Sequence, residues 1–199
     1  LPARLTPVPV ETLRVAGREF VLPFAPLPTR EAVLETIARN ERILAGDSTS
    51  PDLQPLITEY SAWRAATDPD LPGAILHWAS VFREAAQRTL HAVEAPHPPA
   101  GAPFRIAGLV MGRFSFVFLS GEILTPVGRH IQALAPQRKV KVISYLSPIA
   151  GYIASADDFS LGGYELDNAW MWYRMPGPFR HDIEDTILPQ VKLLLEKLS

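Results

Sequence analysis

Proline interrupts this sequence and limits where helices and strands can run. The chain of 199 residues contains 20 prolines, about twice the usual share of ~5%. Proline lacks a backbone N–H and has a fixed φ, so it is disfavoured inside helices and in central strands. The prolines cluster at 2–9, 23–28 and 96–103. We therefore expect connections between elements at these three places.

The composition is that of a globular chain. Hydrophobic residues make up 47% of it, enough for one core, and the formal net charge is −2, whereas a general nucleic-acid binder carries a clustered basic excess. The absence of cysteine excludes disulfides, thiol catalysis and Cys-ligated metal sites. No apolar run approaches the ~18 residues of a membrane span. Because the first residue is Leu and no signal-peptide pattern follows, we expect a processed N-terminus or a piece of a longer protein.

The first half of the chain is predicted to be mainly helical. A β-rich stretch at 13–22 suggests a hairpin that turns at Ala16-Gly17. A first helix is predicted from an N-cap at Thr29 to a stop at Gly46. Two further helices, at 52–65 and 72–93, precede a proline-rich linker at 94–103.

The second half is predicted to be richer in strands. Two arms at 104–110 and 114–119 suggest a hairpin, and the second arm is apolar at nearly every position, as in a strand covered on both faces. The remaining predicted elements are a helix at 125–135, strands at 139–145 and 150–154, and an amphipathic helix at 183–198 bent at Pro189. Strands interleaved with helices indicate an α/β fold, with a mixed sheet and flanking helices. The chain is either a single domain, 1–199, or half of a larger one, divided into 1–95 and 104–199.

Spacing alone gives no complete active site. The sequence has no GxSxG, no Gly-rich phosphate loop and no GxGxxG. No two histidines are spaced to share a metal ion; they are His77, His91, His97, His130 and His181. His77 and His91 lie on a predicted helix, where a solvated or capping role is the favoured interpretation.

Two oxygen-bearing side chains remain as candidates. Glu122 follows Gly121 directly after the apolar arm, and α/β folds often place ligand-binding groups at such strand ends. The alternative is that Glu122 has no ligand-binding role and caps the next helix or places a favourable negative charge at its first turn. Tyr152 lies on a short glycine-bent strand, where a tyrosine usually packs in the core with its hydroxyl satisfied.

Read together, these segments resemble the neutral/alkaline non-lysosomal ceramidase family over residues 104–198. The strand pair at 104–122 ends in Ser-Gly-Glu, similar to the family's Pro-Gly-Glu, and 122–129 is similar to its Gly-Glu to Gly-Arg helix start. Residues 142–155 are similar to the family's strand and Tyr-x-x-Tyr segment, and 157–165 to the acidic and Tyr-Glu motifs that close it. A Pro-Gly turn and an amphipathic helix complete the order.

The resemblance implies a zinc-dependent amidase that cleaves N-acylated lipids such as ceramide. In the family, two histidines from the N-terminal half bind the Zn²⁺ together with a glutamate and a tyrosine from the C-terminal half. These last two ligands fall on Glu122 and Tyr152. Because the half that carries the histidines is missing from this sequence, the resemblance implies a partner half, separate or processed. The family's asparagine-bearing turn is replaced by Ser147-Pro148, and the first tyrosine of Tyr-x-x-Tyr is absent.

Two other interpretations stay open. The chain could be a non-catalytic relative that serves as a binding or assembly module with a decayed metal site, or an unrelated α/β scaffold. Two apolar segments could meet a partner half. They are the strand 114–119 and the cluster of Trp170, Trp172 and Tyr173, which could also line an acyl pocket but is more often core or interface.

Overall fold

The computed structural model describes residues 13–46 and 71–199. The helix predicted at 52–65 lies outside these residues. By their internal contacts the described residues form two compact units: one contains 13–25, 100–173 and 178–199, and the other 26–46, 71–99 and 174–177. Whether the chain is a whole domain or half of a larger one stays a prediction.

Strands and helices are interleaved, which confirms the predicted mixed α/β class. The described strands are β1 (Leu13–Pro23), β2 (Gly101–Met111), β3 (Phe114–Leu119), β4 (Glu122–Ile123), β5 (Lys139–Ile143) and β6 (Tyr152–Ile153). The described helices are α1 (Arg30–Leu44), α2 (Leu71–Val93), α3 (Thr125–Ala133), α4 (Ala156–Leu161), α5 (Tyr164–Asp167) and α6 (Ile183–Lys197), with a 3₁₀ turn at Ala169–Met171.

The larger unit is built on a four-stranded sheet with the order β1-β2-β3-β5. β1 pairs antiparallel with β2 and β2 antiparallel with β3, whereas β3 and β5 are parallel. The chain crosses from β3 to β5 through α3, the usual way to connect parallel strands. β3 and β5 therefore end at the same edge of the sheet, and Glu122 follows at that edge.

The predicted hairpin at Ala16-Gly17 is wrong. β1 is one continuous strand whose 11 residues all pair with β2, and Ala16 and Gly17 lie opposite Gly108 and Ala107. A two-residue hairpin turn requires a positive φ, and neither Ala16 nor Gly17 has one. Pairing with the equally long β2 gives β1 a partner along its whole length, whereas a hairpin would only pair its two short halves with each other.

The second predicted hairpin is confirmed, with β2 and β3 joined at Gly112, which has φ +54°. The predicted linker is too long, because β2 begins at Gly101 and contains Pro103. The register of β2 with β3 starts at Ile106, so Pro103 lies where β2 has a strand on one side only. A proline is tolerated there because no second ladder needs its missing N–H.

One face of the sheet packs against helices. Gly108 lies beneath α6, since a Cβ at this position would come within 2.4 Å of Leu198 Cδ1. From the same face of β1, Arg14 donates to the Leu198 carbonyl at 3.2 Å and Arg18 to Gln190 Oε1 at 2.9 Å. α6 runs through Pro189 as one helix. Its inward positions form the centre of the core together with α3, and the fully buried ones are Ile183, Ile187, Val191 and Leu194 on α6 and Val127 and Ile131 on α3.

The smaller unit contains the helix pair α1 and α2. Thr29 caps α1 as predicted, by accepting a hydrogen bond from the Ala32 N–H at 3.3 Å. The buried contact between the two helices is formed by Ile43, Ile75 and Ala79. Within residues 13–46 and 71–199, no helix combines the length and apolar character that crossing a membrane requires.

Candidate functional site

A tight backbone arrangement positions Glu122 at the end of β3. The Glu122 N–H donates to the Gly151 carbonyl at 2.8 Å and the Leu124 N–H to the Ile153 carbonyl at 2.9 Å, so β4 and β6 form a short parallel pair. Gly121 leaves no room for a side chain: a Cβ would lie 2.6 Å from Ile153 Cγ1 and 3.0 Å from the Gly151 oxygen. The glycine therefore permits the close approach of the two segments.

Glu122 and Tyr152 lie side by side. They are register partners in the β4–β6 pair, so their side chains leave the backbone next to each other. Burial raises the pKa of Tyr152, and the negative charge of Glu122 and a hydrogen bond with its carboxylate raise it further. The two residues that the family resemblance selects as ligands are thus neighbours, and their role in metal binding stays a prediction.

Both carboxylate oxygens of Glu122 accept a tyrosine hydroxyl. Tyr145 donates to Oε2 at 2.8 Å, and Tyr173 donates to Oε1. Tyr145 follows the end of β5 with φ +68°, the left-handed region, and its N–H donates to the Gly121 carbonyl at 3.0 Å. The side chain is 59% exposed, so it reaches Glu122 across the surface. This hydrogen bond is the main cause that raises the pKa of Tyr145.

Two further ring contacts complete the arrangement. The Tyr152 ring lies edge-on to Tyr164, with centroids 6.4 Å apart, and edge-on to Tyr173 at 6.2 Å. Burial, followed by the charge of Glu122, raises the pKa of Tyr164. We call Glu122 with these four tyrosines the tyrosine cluster. It consists of one carboxylate and four phenols, all of them on the larger unit.

Short structured turns bring Tyr164 and Tyr173 to the site. Ser155 and Asp158 form a reciprocal capping box at the start of α4. Gly162 and Gly163, both with positive φ, then reverse the chain into α5, which begins at Tyr164. The helical turns after Tyr164 carry the chain back to Tyr173.

Sequence reasoning missed part of this cluster. Tyr145 was predicted only as the end of a strand, and no sequence signal distinguishes it, because its reach depends on a left-handed turn at a residue that is not glycine. Tyr173 was assigned to an aromatic cluster that packs in the core, forms an interface or lines an acyl pocket, yet its hydroxyl binds Glu122. Tyr164 belongs to the Tyr-Glu motif of the family resemblance, which assigns it no role.

Comparison with solved structures gives a distant likeness. A structure described as a ceramidase complexed with C2 matches with a TM-score of 0.36 and 14% identity over 52% of this chain. The neutral ceramidase from Pseudomonas aeruginosa matches with a TM-score of 0.41 and 13% identity over 93% of this chain. No protein-family model matches, and no curated protein matches by sequence.

These matches concern the fold alone. The aligned part of this chain spans only 17% and 28% of the two solved chains. The activity, substrates and partners of the whole protein are therefore matters for proposal.

The cluster places two oxygen donors, Glu122 and Tyr152, next to each other, and zinc binding by them stays a prediction. Carboxylate oxygens are among the ligands of Zn²⁺, which usually takes three or four protein ligands. In the part of the chain that the structure describes, no group of three or more His, Cys, Asp or Glu side chains could hold a metal ion. Two described histidines are engaged elsewhere: His130 Nδ1 lies 2.7 Å from Glu184 Oε1, and His181 stacks on Phe159. Neither histidine is therefore a partner of Glu122 in the structure.

Proposed function

We propose that this chain is part of a ceramidase-like amidohydrolase that cleaves the amide bond of an N-acylated, lipid-like substrate. Glu122 and Tyr152 would supply two ligands to a Zn²⁺ ion, and the histidines would come from an N-terminal half, as a separate or processed chain. The observation that carries the proposal is the side-by-side placement of these two residues in the β4–β6 pair. The motifs around them support the same assignment.

The chain's own residues would position the ligands. The β4–β6 pair fixes both backbones, and hydroxyls from Tyr145 and Tyr173 orient the Glu122 carboxylate, as outer-shell hydrogen bonds do at metal sites. A tyrosine phenol is protonated at neutral pH, and the pKa of Tyr152 is raised further by burial and by Glu122, so binding as a phenolate would release a proton. When bound, Zn²⁺ would polarise the amide carbonyl and lower the pKa of a water molecule.

The test is carried out on the full-length protein with its histidine-bearing half. Hydrolysis of a fluorescent short-chain ceramide and zinc content by mass spectrometry are measured for Glu122→Gln and Tyr152→Phe. We expect each variant to lose activity by ~100-fold or more, because replacing an outer-shell partner alone costs 10–100-fold, and to lose bound zinc. Glu196→Gln, an exposed glutamate on α6, is the matched control. Full zinc content and hydrolysis in Glu122→Gln would refute the proposal.

One observation favours a second candidate, a non-catalytic binding or assembly module. Both Glu122 oxygens already accept tyrosine hydroxyls, an arrangement that also serves purely structural roles. Native mass spectrometry separates the two candidates. A co-purifying segment with a His-x-His loop supports the enzyme, whereas a complex without such a segment, and without zinc, supports the module.

A further inference from the structure

The sheet of the larger unit has two faces with different surroundings. The face that contains Gly108 is covered by α6, and α3 packs beside α6 on the same side, where His130 meets Glu184. Residues on the other face alternate with these along each strand. We call this second face the open face.

The open face is mainly apolar on β1, β2 and β3, and β5 adds one apolar residue, Ile143. The register places Val15, Leu109 and Phe116 in one row, and Leu13, Met111 and Phe114 in the next. Val15 is 71% exposed and Leu13 65% exposed. Further apolar members are Val21, Ala107, Phe118 and Ile143. A sheet that is apolar on both faces is typical of a layer covered on both faces.

The charges on the open face are uneven. Lys139 and Lys141 continue the two rows on β5, and Arg113 adds a third cation, its Cζ 5.4 Å from the Phe114 ring centroid. None of the three forms an ion pair with another described residue. The acidic side chain of this face, Glu19, is already paired with Arg105 at 2.8 Å. The β5 side of the face is therefore basic.

We propose that the open face docks an apolar protein layer bordered by carboxylates on its β5 side, and that the half carrying the metal-binding histidines supplies this layer. The inference rests on the proposed function. A flat array of strands spaced ~4.8 Å apart suits a second layer of secondary structure at ~10 Å. A second copy that docked through the same face would bring the same basic side chains, and the acidic residue of that face, Glu19, is already paired with Arg105. A lipid surface would favour cations around the whole patch, whereas here they lie on one side.

The open face lies next to the edge of the sheet that carries Glu122, as a metal site shared with a docked layer would require. β3 and β5 run parallel and end together, and the last row, Phe118 and Ile143, lies just before Ser120-Gly121 on one strand and Tyr145 on the other. A layer docked on the open face therefore reaches the edge at which Glu122 lies. It could present further ligands there without any rearrangement of the sheet.

Site-specific photocrosslinking in the full-length protein tests the proposal. p-Benzoylphenylalanine replaces Phe116 on the open face, or Leu193, which is 45% exposed on α6, as the control. We expect crosslinks from position 116, and none from position 193, to a peptide outside the 199 residues of this chain. Mass spectrometry identifies that peptide, which should be apolar and contain carboxylates. Crosslinks to a second copy, to phosphatidylglycerol vesicles, or to nothing would overturn the proposal.

Reversing the charges of the two lysines on β5 provides an independent test of the proposal. Lys139→Glu with Lys141→Glu should lower the crosslinking yield at position 116 by ~10-fold, since like charges at an interface disfavour docking. Lys192→Glu with Lys197→Glu on α6 should leave the yield unchanged, and equal yields in both pairs would contradict the charge complementarity. The outcome is separable from the proposed function, because Glu122→Gln should lose zinc while its crosslinks remain. Zinc binding without crosslinks would overturn the docking inference alone.

Discussion

At the scale of single residues, Glu122 is defined by what its two oxygens bind. The carboxylate is half-buried, and its desolvation is offset by hydroxyl donors on both oxygens. The donors differ in setting: Tyr173 is half-buried and packs edge-on to Tyr152, whereas Tyr145 is exposed. The two hydroxyls should therefore contribute unequally to the free energy of unfolding.

Removing each hydroxyl separately tests this difference. Tyr173→Phe should lower the free energy of unfolding by ~1.5–3 kcal/mol, the range for a hydrogen bond to a charged group. Tyr145→Phe should have a smaller effect, because solvent screens an exposed donor. Urea unfolding of the metal-free chain measures both variants. A larger loss for Tyr145→Phe than for Tyr173→Phe would show that the cluster is held mainly from its surface side.

The tyrosines also predict a pH dependence. In the folded chain the pKa values of Tyr145, Tyr152 and Tyr164 are raised above the ordinary 10.0. The folded state therefore holds these protons more tightly than the unfolded state. The resulting stabilisation is complete below pH 10 and is lost as the pH rises through the folded values.

Carbon-13 NMR of Cζ-labelled tyrosine follows each titration in the metal-free chain. Glu122→Gln should lower the pKa of Tyr145 most directly, since the hydrogen bond to Glu122 is its largest cause. Tyr152 should keep more of its shift, because burial comes first there. Unchanged tyrosine titrations in Glu122→Gln would contradict the assignment of Glu122 as a shared perturbing charge.

At the scale of elements, the contact between β4 and β6 depends on Gly121. A methyl group there would press on Ile153 and on the backbone oxygen of Gly151, so Gly121→Ala should separate the two segments. We expect a loss of ~1–3 kcal/mol, as in other overpacked sites, and a weaker coupling between Glu122 and Tyr152. The control is Gly128→Ala on α3, where a Cβ meets nothing within 4 Å and should stabilise the helix by ~0.5–1 kcal/mol. Thermal unfolding of both variants checks the contrast.

The same scale shows how far the sequence predicts the fold. Helix boundaries such as the Thr29 cap follow from local chemistry, and the Gly112 turn follows from two adjacent apolar arms. The sequence does not predict the pairing of β1, because its partner, β2, lies far along the chain and no local signal indicates a distant strand. The sequence also places Pro103 in a linker rather than in β2, because a proline is tolerated in a strand only where one side lacks a neighbour, and this depends on the pairing with β3.

At the scale of the whole molecule, the candidate site, like the fold, can be predicted from the sequence only in part. The motifs select Glu122 and Tyr152, because both lie in short segments with a characteristic residue order, and their role as ligands stays a prediction. The motifs do not predict the arrangement around them, since Tyr145 and Tyr173 approach from turns far apart in sequence. Motifs thus report residues within one segment, whereas contacts between segments are set by the packing of the whole unit.

This division leads to the last prediction, which concerns zinc binding by the chain alone. In the proposed site this chain supplies two donors, Glu122 and Tyr152, and the described residues contain no group of three or more His, Cys, Asp or Glu side chains that could hold a metal ion by itself. Stable sites use three or four protein ligands, and here binding must also displace the proton of Tyr152 and loosen the hydroxyl contacts of Glu122. Calorimetry should therefore find weak binding by the isolated chain, weaker still in Glu122→Gln, and tight binding by the full-length protein. Nanomolar affinity of the isolated chain would count against a site shared between two halves.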